Sequence, residues 1–95
     1  MQTGGEYDQV SQLEKLKQRI KKIPKDFTYN EAKNLLMSLG FREYNKGKTS
    51  GSRVMFFREE DKAIIMLHKP HPGNEMPTYA VKDIVKYLKE IGELI

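Results

Sequence analysis

Two short runs, Ser52–Arg58 and Ala63–His68, concentrate the β-branched, aromatic and methionine side chains of this chain. The acidic turn Glu59-Glu60-Asp61 lies between them, which reads as a β-hairpin. A two-residue turn at Glu60-Asp61 would pair Glu59 with Lys62, so that paired residue numbers sum to 121. In that register Val54 meets Leu67 and Phe56 meets Ile65 on one face, a plausible core layer. The opposite face takes Arg53 with His68, Met55 with Met66, and Phe57 with Ile64. A slip of one residue would send His68 to the other face from Arg53. A two-stranded ribbon is not stable by itself, so other elements must cover the apolar layer.

Helices supply the cover. Val10, Leu13, Leu16, Ile20 and Ile23 recur at helical spacing, predicting a helix over residues 8–23 that Pro24 ends, with residues 1–7 loose. Lys15, Lys17, Arg19, Lys21 and Lys22 sit among them, most of them late in the helix, where its dipole favours cations. Thr28-Tyr29-Asn30-Glu31 is a capping box that starts a second helix. Its apolar face is Ala32, Leu35, Leu36 and Leu39, and Gly40 is the expected terminator. Phe41–Asn45 reads as a short strand. A last helix, from about Tyr79 to Ile91, buries Val81, Ile84, Val85, Leu88 and Ile91. Its other side carries Lys82, Lys86 and Lys89.

The order is therefore one helix followed by α-β-β-β-α. Two helices flanking a three-stranded antiparallel meander must share one face of the sheet to bury their stripes. The expected fold is α+β with the layout of a double-stranded-RNA-binding domain (dsRBD) and an added leading helix. The expected division is 1–25, a basic amphipathic extension, and 26–95, the domain.

With 95 residues the chain buries only about two-thirds of its unfolded surface, which argues against a large enclosed cofactor site. Without cysteine it has neither a disulfide framework nor a thiolate zinc site. No apolar run reaches the length of a membrane helix, and the first residues have no signal-peptide character, so a soluble cytoplasmic protein is expected. Seventeen basic residues against thirteen acidic give a net charge of +4, a balance suited to a polyanionic partner.

From Phe27 to Leu94 the chain resembles the HicA toxins of type II toxin–antitoxin pairs. The residues that carry the resemblance are Lys46-Gly47, Gly51-Ser52-Arg53-Val54-Met55-Phe56, and the His71-Pro72-Gly73 turn that leads through a proline into the last helix. The resemblance implies a small ribonuclease that cuts messenger RNA until a HicB-type antitoxin covers its active face. It also implies a histidine directly after Gly-Ser, where this chain has Arg53. Arginine stays protonated and cannot act as a general base. Either the chemistry is reassigned to other residues, or the chain binds RNA without cutting it.

Metal-free RNA cleavage needs a base for the 2′-hydroxyl, an acid for the departing 5′-oxygen and fixed positive charge on the phosphorane. His68 and His71 are the two histidines able to move protons near neutrality. Arg53, opposite His68 at a Cβ separation of about 5 Å, would supply charge. These three are the candidate catalytic residues. Each histidine also has a structural reading, His68 as a half-buried strand end and His71 as a turn holder. Lys46, Lys48, Ser50 and Ser52 form a basic segment suited to phosphate, or an ordinary surface loop. Gly47-Lys48-Thr49 is similar to the end of a nucleotide-binding loop, but Arg42 stands where an earlier glycine is required and a strand follows. Lys82 and Lys86 would extend an RNA track, or form a solvated helix face. Two histidines with Glu75 are too thin a set for a metal site, and no cofactor is expected.

The outer face, Met55, Phe57, Ile64 and Met66, is too apolar to stay in water. The expected cover is the leading helix, a second copy of the chain, or the antitoxin. Three readings stand at this point: a HicA-like RNA-cleaving toxin, a non-catalytic RNA-binding module, and a protein-interaction domain that uses this face.

Overall fold

The computed structural model describes residues 4–44, 53–70 and 73–95, with side chains from residue 12 onward. Three helices and three strands follow in the order α1 (Gly4–Lys21), α2 (Tyr29–Ser38), β1 (Arg42–Tyr44), β2 (Arg53–Arg58), β3 (Ala63–His68) and α3 (Thr78–Glu90). The strands form one antiparallel sheet in the order β1-β2-β3. This is the α+β, dsRBD-like arrangement with a leading helix.

The hairpin register is the expected one, with Arg53 opposite His68 and Phe56 opposite Ile65. Its turn is not. The ladder closes at Arg58 and Ala63, so four residues, Glu59 to Lys62, make the turn, and Lys62 takes a left-handed φ of 59°. The cause is Asp61. Its carboxylate accepts two hydrogen bonds from the Arg58 guanidinium, at 2.9 and 2.8 Å, and one from the Ala63 amide at 3.4 Å. These bonds hold a wider turn than the two-residue form, and the register sum survives because both strands lose one pair.

Alternation along β2 and β3 sends Val54, Phe56, Ile65 and Leu67 into a single core with Phe27, Leu35, Leu36, Phe41, Val81, Ile84 and Leu88. Arg58 shares their parity and is buried, 6% exposed. It also donates to the Leu39 carbonyl at 2.9 Å and to Glu93 at 2.7 Å, with its guanidinium carbon 4.9 Å from the Phe41 ring centroid. The end of α2, the hairpin turn and the C-terminal segment thus meet at one side chain. Gly40 adopts φ +99°, and an added Cβ there would come within 3.3 Å of the Arg58 side chain. Glycine therefore meets two requirements at this helix end.

The capping box forms as expected: the Thr28 hydroxyl accepts from the Glu31 amide at 3.1 Å, and the Glu31 carboxylate accepts from the Thr28 amide at 2.9 Å. The same carboxylate accepts from Arg19 of α1 at 2.8 Å, and Asp26 accepts from Arg19 at 3.1 Å.

The leading helix is longer at its start than expected, beginning at Gly4, and it ends at Lys21, before Ile23 turns left-handed (φ 50°) ahead of Pro24. Ile20 is fully buried, and Leu13, Leu16 and Ile23 pack beside it. The contacts of α1 are with α2 and α3, on the helical side of the sheet. It is therefore not the cover for the outer face: its stripe finds the other two helices instead. No helix among the described residues is long and apolar enough to cross a membrane.

Candidate nucleic-acid interface

β2 begins and ends with arginine, and the two differ by an odd number of positions, so alternation gives them opposite faces. Arg58 is buried against two carboxylates. Arg53 is exposed on the outer face and has no acidic partner among the described residues. Its directly paired neighbour on β3 is His68, also exposed. A hairpin register thus places a permanent cation and an exposed imidazole side by side, about 5 Å apart at Cβ and within reach of one phosphate.

The two sit where the chain enters β2 and leaves β3, and β1 ends at the same margin of the sheet, since Tyr44 pairs with Met55. Lys69 follows His68 immediately. Its ammonium stands 5.9 Å from the centroid of the Tyr29 ring, in the first turn of α2. The segment beyond is fastened to the same region: the Tyr29 amide donates to the Asn74 carbonyl at 2.8 Å, and the Met76 amide donates to the Phe27 carbonyl at 2.8 Å. Lys69 is not among the candidate site residues that the sequence singles out. Its adjacency to His68 was the available signal.

His71, Lys46, Lys48, Ser50 and Ser52 lie outside the described residues. Lys82 and Lys86 are exposed on α3, whose Val81, Ile84, Val85 and Leu88 are buried in the core beneath the inner face of the sheet. Arg53 and His68 occupy the other face. Lys82 and Lys86 thus do not share the sheet face that carries Arg53 and His68. No cluster of three or more histidine, cysteine or acidic side chains suited to a metal ion occurs among the described residues.

Outside the pair, the outer face of β2 and β3 is apolar: Ile64 is 49% and Met66 45% exposed, while Met55 and Phe57 are half-buried, and β1 adds the exposed Arg42 and Tyr44 opposite them. A groove of about 530 Å³ runs along β3 beside α3, lined by Ile64, Met66 and His68 from the strand and by Tyr79, Asp83 and Tyr87 from the helix.

The sequence profile of a family described as HicA toxin of bacterial toxin-antitoxin matches residues 29–92. The chain belongs to the HicA toxin family. The match opens at the first residue of α2 and closes just after α3, so it takes in the whole α-β-β-β-α unit and leaves out α1. Among curated proteins and among solved structures, no significant match is found. Membership gives the chain a toxin role in a bacterial toxin–antitoxin pair and, with it, a protein partner. The HicA unit holds both Arg53 and His68 within its matched span.

Proposed function

We propose that this HicA-family chain is an RNA-directed toxin that cleaves messenger RNA without a metal ion, held in check by an antitoxin of the HicB type. The observation that supports this most is the Arg53–His68 pair, exposed and side by side at one margin of the sheet. In the proposed reaction the 2′-oxygen attacks the adjacent phosphorus and the bond from phosphorus to the 5′-oxygen breaks. The products are a 2′,3′-cyclic phosphate and a free 5′-hydroxyl. One proton leaves the 2′-hydroxyl and one reaches the departing oxygen. His68 carries this proton traffic with His71 as the second candidate, while Arg53 holds the charge that builds on the phosphorane. Lys46, Lys48, Ser50, Ser52, Lys82 and Lys86 serve RNA backbone contacts in this reading. Residues 26–95 are the acting unit and 1–25 an extension of it.

The test is cleavage of purified RNA in EDTA by the chain freed of its partner. His68→Ala should remove nearly all activity and His71→Ala less, and the products should end in cyclic phosphate. Cleavage that survives His68→Ala unchanged would defeat the assignment.

A second reading has its own observation. Arg53 occupies the position after Gly-Ser and cannot accept a proton, which favours a non-catalytic RNA-binding module. That reading predicts salt-sensitive retention of intact RNA. A third, a protein-interaction domain working through Ile64 and Met66, predicts a stable protein complex and no RNA affinity.

A further inference from the structure

A cleft of about 280 Å³ opens between the first turn of α2 and the segment that leaves β3. Tyr29, Asn30 and Lys33 line it from the helix, and Lys69 and Asn74 from the other side. It is smaller than the pockets of about 300–1,000 Å³ that enclose drug-sized ligands. Its chemistry is rich in donors. Two lysines and two asparagines line it, and the backbone amide of Asn30 finds no acceptor among the described residues. One carboxylate opposes them: Glu43 pairs with Lys33 at 3.0 Å. Two cations against one anion leave the cleft positive, and the start of a helix adds partial positive charge.

The cleft is also built rather than incidental. Tyr29, only 5% exposed, forms a wall whose hydroxyl has no hydrogen-bond partner among the described residues. Its ring sits under the Lys69 ammonium and draws that long side chain toward the cleft instead of into bulk water. Its amide is tied to the Asn74 carbonyl, which fixes the opposite wall.

We propose that this cleft binds a phosphate group. Resting on the RNA reading above, it takes the phosphate that neighbours the one at Arg53 and His68. Lys69 is the residue after His68, and alternation turns it toward the opposite side of the sheet. The RNA strand would therefore cross the sheet margin, one phosphate on the outer face and the next in the cleft. Tyr29 acts as a positioning residue for Lys69.

The experiment measures binding of the full chain to a 2′-O-methyl oligoribonucleotide, which resists cleavage, over a series of salt concentrations. Each phosphate contact contributes about 0.7 to the slope of log affinity against log salt on a single strand. Lys69→Gln and Lys33→Gln should each lower the slope by about that amount and weaken binding about three- to tenfold at low salt. Lys69→Arg should keep the slope, which separates loss of charge from misfolding. Lys62→Gln, in the hairpin turn at the far end of β3, should match the parent chain. If the parent binds and both glutamine variants match Lys62→Gln, the cleft proposal is overturned and the RNA reading stands. If the parent fails to bind even at low salt, the RNA reading fails and takes this proposal with it.

Discussion

The Arg58 guanidinium at the end of β2 donates to the Glu93 carboxylate at 2.7 Å, joining the hairpin to the last residues of the chain across 35 positions. Arg58 is buried, and Asp61 and the Leu39 carbonyl take three more of its donors. Removing one partner of a buried ionic network leaves the others uncompensated. Arg58→Leu should cost about 3 kcal/mol in urea unfolding. Arg58→Lys should recover only part of this, because a single ammonium cannot reproduce the two parallel bonds to Asp61.

Acid should loosen this network and the separate Arg19–Glu31 pair. The Arg19 guanidinium holds the Glu31 carboxyl below the usual carboxylate range, and Arg58 does the same to Asp61. A carboxylate whose folded pKa is lowered stabilises the fold above its unfolded pKa, and that contribution is lost as pH falls through the folded value. Thermal midpoints should therefore hold between pH 7 and about pH 5 and drop below about pH 4. Glu31→Gln and Asp61→Asn should each lower the midpoint at pH 7 and flatten its decline in acid. A decline as steep in the variants as in the parent would dissociate these pairs from acid stability.

Tyr29 behaves in the opposite sense. Burial, aided by the nearby Glu43 charge, pushes its phenol up to about 12. The folded state then holds its proton more tightly than the unfolded chain, so stability present below pH 10 is lost as pH rises toward 12. The hydroxyl has no hydrogen-bond partner among the described residues, so Tyr29→Phe removes a desolvated polar atom at no cost in bonding there. The variant should be as stable as the parent or more so by about 1 kcal/mol at neutral pH, and should lose less on going to alkaline buffer.

Ile20 joins the leading helix to the shared core and is fully buried there. Ile20→Ala should cost about 2–4 kcal/mol. Deleting residues 1–24 removes Ile20 together with the Arg19 bonds to Glu31 and Asp26, and should lower the melting temperature sharply. An unchanged melting curve would mean that α1 does not dock in solution.

Met66→Lys probes the open sheet face. The side chain is already 45% exposed, so global stability should change by less than about 1 kcal/mol. Capture of the partner antitoxin should weaken if this face is the one it covers. A variant that retains full capture would place the partner elsewhere.

The hairpin register was legible because alternation allows few answers: Val54, Phe56, Ile65 and Leu67 can share a core layer in only one alignment with a short turn. The capping box at Thr28 and Glu31 was legible because both of its bonds are local. The turn length was not, since it depends on Asp61 choosing the Arg58 guanidinium, a tertiary preference. The Arg58 hub was missed for a related reason. Its partners Leu39 and Glu93 are distant in sequence, although an arginine continuing the inward parity of Val54 and Phe56 was a readable sign. The pairing of Arg53 with His68 followed directly from the register. The place of Lys69 beside Tyr29 did not, because it depends on how the segment after β3 folds back onto α2.

The two arginines of β2 make that strand a ruler on which the molecule's interior and its working surface share one scale. Substitutions can alter either end separately. A single inserted or deleted residue between positions 53 and 58 would do something different, putting both arginines on one face, so that either Arg53 is stranded in the core or Arg58 is left in solvent. Length changes within this strand should thus be far less tolerated than changes of side chain, so that variation in the surface chemistry of such a domain is confined to replacement in place.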